Sequence, residues 1–81
     1  MEDYNFTKEN IERLKNIYTP GTYIMCDFMY SEHPIEAGRV GIVQHVRDDG
    51  VIMVDWGDEL IGLIKGVDEF HIPRWNKRKR G

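Results

Sequence analysis

The chain has 81 residues, 41% apolar and 31% charged, with one cysteine. A chain of this length is expected to make one domain at most, one cysteine excludes an internal disulfide framework and a Cys-rich zinc site within it, and the balance of apolar and charged residues is that of a folded globular domain. Net charge is −3, yet five of the 11 bases fall in residues 74–81, which leaves 6 bases against 14 acids in residues 1–73, a net of −8. An acidic body repels nucleic-acid phosphates, whereas a basic tail attracts them.

Residues Lys8 to Tyr18 predict an amphipathic helix. Ile11, Leu14 and Tyr18 recur at spacings of three and four and form one apolar stripe, with Ile17 beside it. Thr7 is placed as the N-cap, and Phe6 with Ile11 has the spacing of a hydrophobic staple. Thr19-Pro20-Gly21-Thr22 fits a type II turn, because proline presets φ at its second position and glycine accepts a positive φ at its third.

From Thr22 the period changes to two. Tyr23 to Tyr30 reads as a strand with Ile24, Cys26 and Phe28 inward and Tyr23, Met25, Asp27 and Met29 outward. Ser31 to Gly38 contains Pro34 and no periodicity, and reads as a loop. Arg39 to Arg47 is a second strand with Val40, Ile42 and Val46 inward, and Gly41 marks a bulge or bend. Asp48-Asp49-Gly50 is a hairpin turn, Val51 to Trp56 a third strand with Ile52, Val54 and Trp56 inward, and Leu60 to Ile64 a fourth. After a break at Lys65 to Asp68, Phe70 to Ile72 forms a short last strand stopped by Pro73. Five short strands after one helix predict a mainly β (α+β) domain, a small five-stranded SH3-like barrel with an N-terminal amphipathic helix. The expected organisation is one domain over residues 1–73, with the helix at 8–18, the barrel at 22–73 and a basic tail at 74–81.

Few residues offer chemistry. Cys26 falls between inward positions, where apolar burial silences a thiol. His33, His45 and His71 lack the spacing of paired metal ligands, and the glycines are scattered at turns, so neither a metal site nor a phosphate loop is expected. Among the carboxylates Asp48, Asp49, Asp55, Asp58, Glu59, Asp68 and Glu69, the first two and Asp58 take turn positions, where an aspartate binds local backbone. Together they make an acidic face suited to a basic protein surface. The expected product is a binding protein without enzymatic activity or cofactor. Its binding residues are expected among exposed aromatics and acids, namely Tyr23, Tyr30, Asp55 and Asp58, and in the tail, namely Arg74, Trp75, Lys77 and Arg78. Aromatic and basic residues interleave in that tail, the mixture that stacks on bases and grips phosphates.

An ordered set of short motifs adds a resemblance. Pro20-Gly21-Thr22, Gly38-Arg39-Val40-Gly41-Ile42-Val43, Asp48-Asp49-Gly50, Val54-Asp55-Trp56 and Gly66-Val67-Asp68-Glu69-Phe70 follow one another. Over roughly residues 11–72 the chain resembles an uncharacterised family of small SH3-like barrel proteins from phages and integrative elements of Gram-positive bacteria. That family usually has Asp-Asn-Gly in the turn after the tryptophan, where this chain has the shorter Gly57-Asp58-Glu59. The resemblance implies a viral or mobile-element origin. With the residue reading, it leads to the expectation of a phage protein of the counter-defence type. It would inhibit a host factor, or sequester a small nucleotide-like ligand, through protein–protein interaction or ligand sequestration. The alternative expectation is a nucleic-acid-binding accessory protein acting through the tail. No apolar run reaches the ~18–20 residues of a membrane span. The polar start Met-Glu-Asp-Tyr-Asn is unlike a secretory signal, so the expected location is the cytoplasm, that of the host cell for a viral protein.

Overall fold

A computed structural model describes residues 7–74. Helix α1 spans Lys8–Ile17, and strands β1 to β5 span Tyr23–Phe28, Val40–Val46, Ile52–Asp55, Leu60–Leu63 and Glu69–His71. The strands form one antiparallel, open sheet in the order β4-β3-β2-β1-β5. The domain is thus mainly β, with one short helix.

Local chemistry builds the helix and its exit as the residues predict. The Thr7 hydroxyl accepts from the Asn10 amide at 3.2 Å, and the Tyr18 amide donates to the Leu14 carbonyl at 2.8 Å. Phe6, the other half of the expected staple, lies outside the described residues. Ile11 and Tyr18 are buried, and Leu14 packs against the core. Gly21 has φ +94° and the Thr22 amide donates to the Thr19 carbonyl at 3.0 Å, which closes the Pro-Gly turn. The turn is tied to β2, since the Gly21 amide donates to the Val43 carbonyl and the Val43 amide to the Thr22 carbonyl, both at 2.8 Å. An isolated ten-residue helix is marginal in water, so these tertiary contacts hold α1 in place.

The core sits on one face of the sheet. Ile24, Cys26, Ile52, Val54 and Leu63 are fully buried, with Trp56, Val43, Val46, Met29 and Ile35 around them. Two inward assignments read from alternation are corrected. In β2 the inward residues are Gly41 and Val43, while Ile42 faces out at 39% exposure and Val40 is half-buried. Trp56 causes this: a Cβ on Gly41 would lie 2.7 Å from its Cε3 and 2.6 Å from Val54 Cγ1. The indole therefore fills the inward space at position 41, and only glycine leaves it open. The irregularity in β2 falls between Val43 and His45 rather than at Gly41, and it returns Val46 to the interior.

The second correction is Phe28. Cys26 pairs with Phe70 and Phe28 with Glu69, so Asp27 is an extra residue in β1. This bulge reverses the alternation: Phe28 turns outward at 51% exposure and Met29 turns in. Phe70 is half-buried and meets Tyr18 edge-to-face, with centroids 5.8 Å apart.

Candidate functional site

The bulge at Asp27 creates the most distinctive surface of the domain. Beyond it, Phe28 and Tyr30 project side by side, 51% and 62% exposed, with ring centroids 4.7 Å apart and planes at 76°. Each aromatic ring carries a negative face and a positive edge, so this T-shaped pair holds itself in place while exposed.

The surrounding chain fixes its position. Past Tyr30 the segment Ser31–Gly38 folds back and drives Ile35 into the core against Met29. The Ile35 amide donates to Met29 Sδ at 3.4 Å, and the Ile35 carbonyl accepts from Cys26 Sγ at 3.5 Å. The Gly38 amide donates to the Cys26 carbonyl at 2.7 Å, which returns the chain to the sheet. On the other side Asp68, 9% exposed, acts as a clamp. One carboxylate oxygen accepts from the Tyr30 amide and the other from the Ile64 amide, each at 3.0 Å. One side chain thus links the end of β1 to the β4–β5 turn. Charge-assisted bonds to backbone amides are among the stronger hydrogen bonds.

Two grooves flank the aromatic pair. The first, about 500 Å³, is lined by Phe28, Tyr30, Pro34 and Ala37 together with the acids Asp27 and Glu36. The second, about 520 Å³, lies between Tyr30, Gly66, Val67, Asp68 and Glu69. Neither lining includes a Lys or Arg. Tyr30 is shared by both grooves, and Val67 adds an exposed apolar side chain to the second.

The expected binding residues do not gather in one place. Tyr30 is at this surface. Tyr23 is half-buried near the opposite end of β1, paired with Ile42, whose other neighbour is Asp55. Asp55 accepts from the Gly57 amide at 2.8 Å. Asp58 accepts from Arg39 Nη2 at 2.8 Å, and the same guanidinium nitrogen donates to the Trp56 carbonyl at 2.7 Å. Both aspartates therefore shape the β3–β4 turn. Arg74 is exposed just after β5, while Trp75, Lys77 and Arg78 lie outside the described residues. Phe28, Pro34, Val67 and Asp68 were missed as site residues. The available signal was the adjacent pair Phe28-Met29, two large apolar side chains that strict alternation cannot both bury.

Burial pushes the Cys26 thiol up from its ordinary 9.0, helped by the nearby negative charges of Asp27 and Asp68, so the thiol stays protonated at neutral pH. His71 Nδ1 and Asp27 Oδ2 are 2.8 Å apart, which ties the bulged residue to β5. Among the described residues no group of three or more His, Cys, Asp or Glu is placed to hold a metal ion, and no helix is long and apolar enough to cross a membrane.

No curated protein and no solved structure gives a significant match to the chain. Residues 7–73 match the model of a family described as a domain of unknown function, DUF4314, and the chain belongs to that family.

Proposed function

We propose that this domain acts by binding, without catalysis, and that it inhibits or sequesters a host protein held on the Phe28–Tyr30 surface. The observation that carries this reading is the exposed, edge-to-face aromatic pair between two grooves. Rigid exposed aromatics are typical anchors of protein contacts, because they offer a large contact area at little entropic cost. The acids beside the grooves, Asp27, Glu36 and Glu69, favour a partner segment with an apolar side chain flanked by Lys or Arg. They disfavour the phosphates of a nucleotide-like ligand, so the host-protein form of the reading is preferred. Burial of Cys26, which raises its thiol above the ordinary value, weighs against nucleophilic chemistry at that residue.

The finer fold assignment, an SH3-like barrel, is supported by the strand order, in which β5 returns beside β1 at the far side of a four-strand meander. The phage or mobile-element setting, and with it the host cytoplasm, rests on the motif resemblance.

The test compares wild-type protein with a Phe28→Ser/Tyr30→Ser double variant, each immobilised and exposed to host lysate. Both side chains are exposed, so the variant is expected to melt like the parent. A protein recovered by wild type and lost from the variant supports the reading; equal recovery by both removes this surface from the function. A parallel electrophoretic shift with DNA and RNA, on the full chain and on a chain lacking residues 74–81, addresses the alternative. Salt-sensitive binding that disappears with the tail would favour the nucleic-acid role.

A further inference from the structure

The two edges of the sheet are protected unequally. Edge strand β5 is Glu69-Phe70-His71, three residues long and polar at both ends. Short, charged edges resist pairing with other chains. The opposite edge, β4, is Leu60-Ile61-Gly62-Leu63, without a charged residue.

The ladder's phase determines which groups β4 presents. The Trp56 amide donates to the Glu59 carbonyl at 2.9 Å, so these two residues form a hydrogen-bonded pair. The register continues through Asp55 with Leu60, Val54 with Ile61, Met53 with Gly62 and Ile52 with Leu63. Hydrogen-bonded and non-hydrogen-bonded pairs alternate in an antiparallel ladder. The amides and carbonyls of Ile61 and Leu63 therefore point at β3, and those of Leu60 and Gly62 point to the open edge. Leu60 is also 55% exposed.

We propose that β4 pairs with β4 of a second copy, antiparallel about a two-fold axis, with Ile61 opposite the partner's Ile61 and Leu60 opposite the partner's Gly62. Three points select this register. It would satisfy all the outward amides and carbonyls of Leu60 and Gly62. A one-residue slip would oppose inner-face to outer-face residues. A shift that centres Gly62 on the partner's Gly62 would call on Ile64, whose amide is held by Asp68 and whose carbonyl accepts from the Val67 and Asp68 amides.

The flanks add charge complementarity. Asp58 and Glu59 precede the strand and Lys65 follows it. Antiparallel pairing puts Glu59 diagonally across from the partner's Lys65 on the same face, whereas parallel pairing would put like charges together. Shape agrees as well. Val51 and Met53 lean over Gly62 and fill the space its side chain would take, Val51 Cγ1 lying against the position of a Cβ and Met53 Sδ 3.1 Å from it, so the strand presents an apolar floor there. The exposed Leu60 side chain of the other copy covers that apolar floor.

Sedimentation velocity on the full chain over a range of concentrations reads the equilibrium, and a dimer that dissociates on dilution is expected. Leu60→Lys, at an exposed position, should raise the dissociation constant by about tenfold or more, because each dimer then carries two edge lysines. Glu59→Lys or Lys65→Glu should weaken the dimer, and the double swap should restore it. Hydrogen exchange on the wild type supplies a reading free of variants. The Leu60 and Gly62 amides should gain protection with concentration, while those of Ile61 and Leu63 stay protected throughout. A monomer at every concentration, a dimer indifferent to Leu60→Lys, or Leu60 and Gly62 amides that exchange freely in the dimer would overturn the proposal.

Discussion

The two ends of β1 are built on different rules. At the Tyr23 end, a capped helix and a Pro-Gly turn lead into strict alternation, with Ile24 and Cys26 inward. Neighbours in sequence set this geometry. At the Phe28 end, a bulge breaks the alternation, Ile35 inserts from the following loop, and Asp68 reaches the Tyr30 amide across 38 positions of chain. One strand thus begins in local chemistry and ends in tertiary contact. The candidate surface belongs to the tertiary end, where a side chain can be exposed because other residues hold its backbone.

The largest perturbation strikes the core that both ends share. Val54→Asp places an unpaired carboxylate at a fully buried site, and its desolvation exceeds what a domain this small can absorb, so the circular-dichroism signal of the folded domain should be lost. Gly41→Val comes next, since its side chain must displace Trp56 and Val54. Its expected cost lies at the top of the roughly 1–3 kcal/mol range for overpacking, read as a large drop in chemical-denaturation midpoint.

Asp68→Ala separates the ends. Two backbone amides lose a mostly buried carboxylate acceptor, at a cost of about 1–3 kcal/mol. Hydrogen exchange should speed up at Tyr30 and Ile64 while the Val43 and Thr22 amides beside the Pro-Gly turn keep their protection. Uniform acceleration would show that the ends are one cooperative unit.

Alkaline titration probes the core behind the strand more gently. Burial raises the Cys26 thiol above its ordinary 9.0 and the Tyr18 phenol above its ordinary 10.0. Each folded group holds its proton more tightly than the unfolded one, so its contribution is complete below the ordinary value and fades as pH rises through the folded value. Melting temperature should fall above about pH 9, the ordinary thiol range. Cys26→Ala should remove the earlier part of that fall and Tyr18→Phe the later part. The smallest effect belongs to Lys15 and Asp48, an exposed pair 2.9 Å apart that joins α1 to the hairpin turn. Lys15 lowers the Asp48 carboxyl below its ordinary 3.8, so the contribution is present above that value and lost as pH falls. Asp48→Asn should shift the melting curve only at low salt, because screening weakens surface ion pairs.

Read alone, the sequence determined what depends on near neighbours. Thr7 caps because its hydroxyl meets an amide three residues on, Pro20-Gly21 turns because of its own φ preferences, and β3 alternates because Ile52, Val54 and Trp56 all find the interior. It also marked Cys26 as buried and Tyr30 as exposed. The packed structure alone decided the rest. Gly41 faces inward because the Trp56 indole occupies the space beside it, and Phe28 faces outward because Asp27 is one residue too many for β5. Asp68 is a buried clamp because the chain brings the Tyr30 and Ile64 amides to its two oxygens. Alternation predicts a face only while the register is unbroken. A bulge depends on how many residues the neighbouring strand offers, and that number is set by a partner far away in the chain.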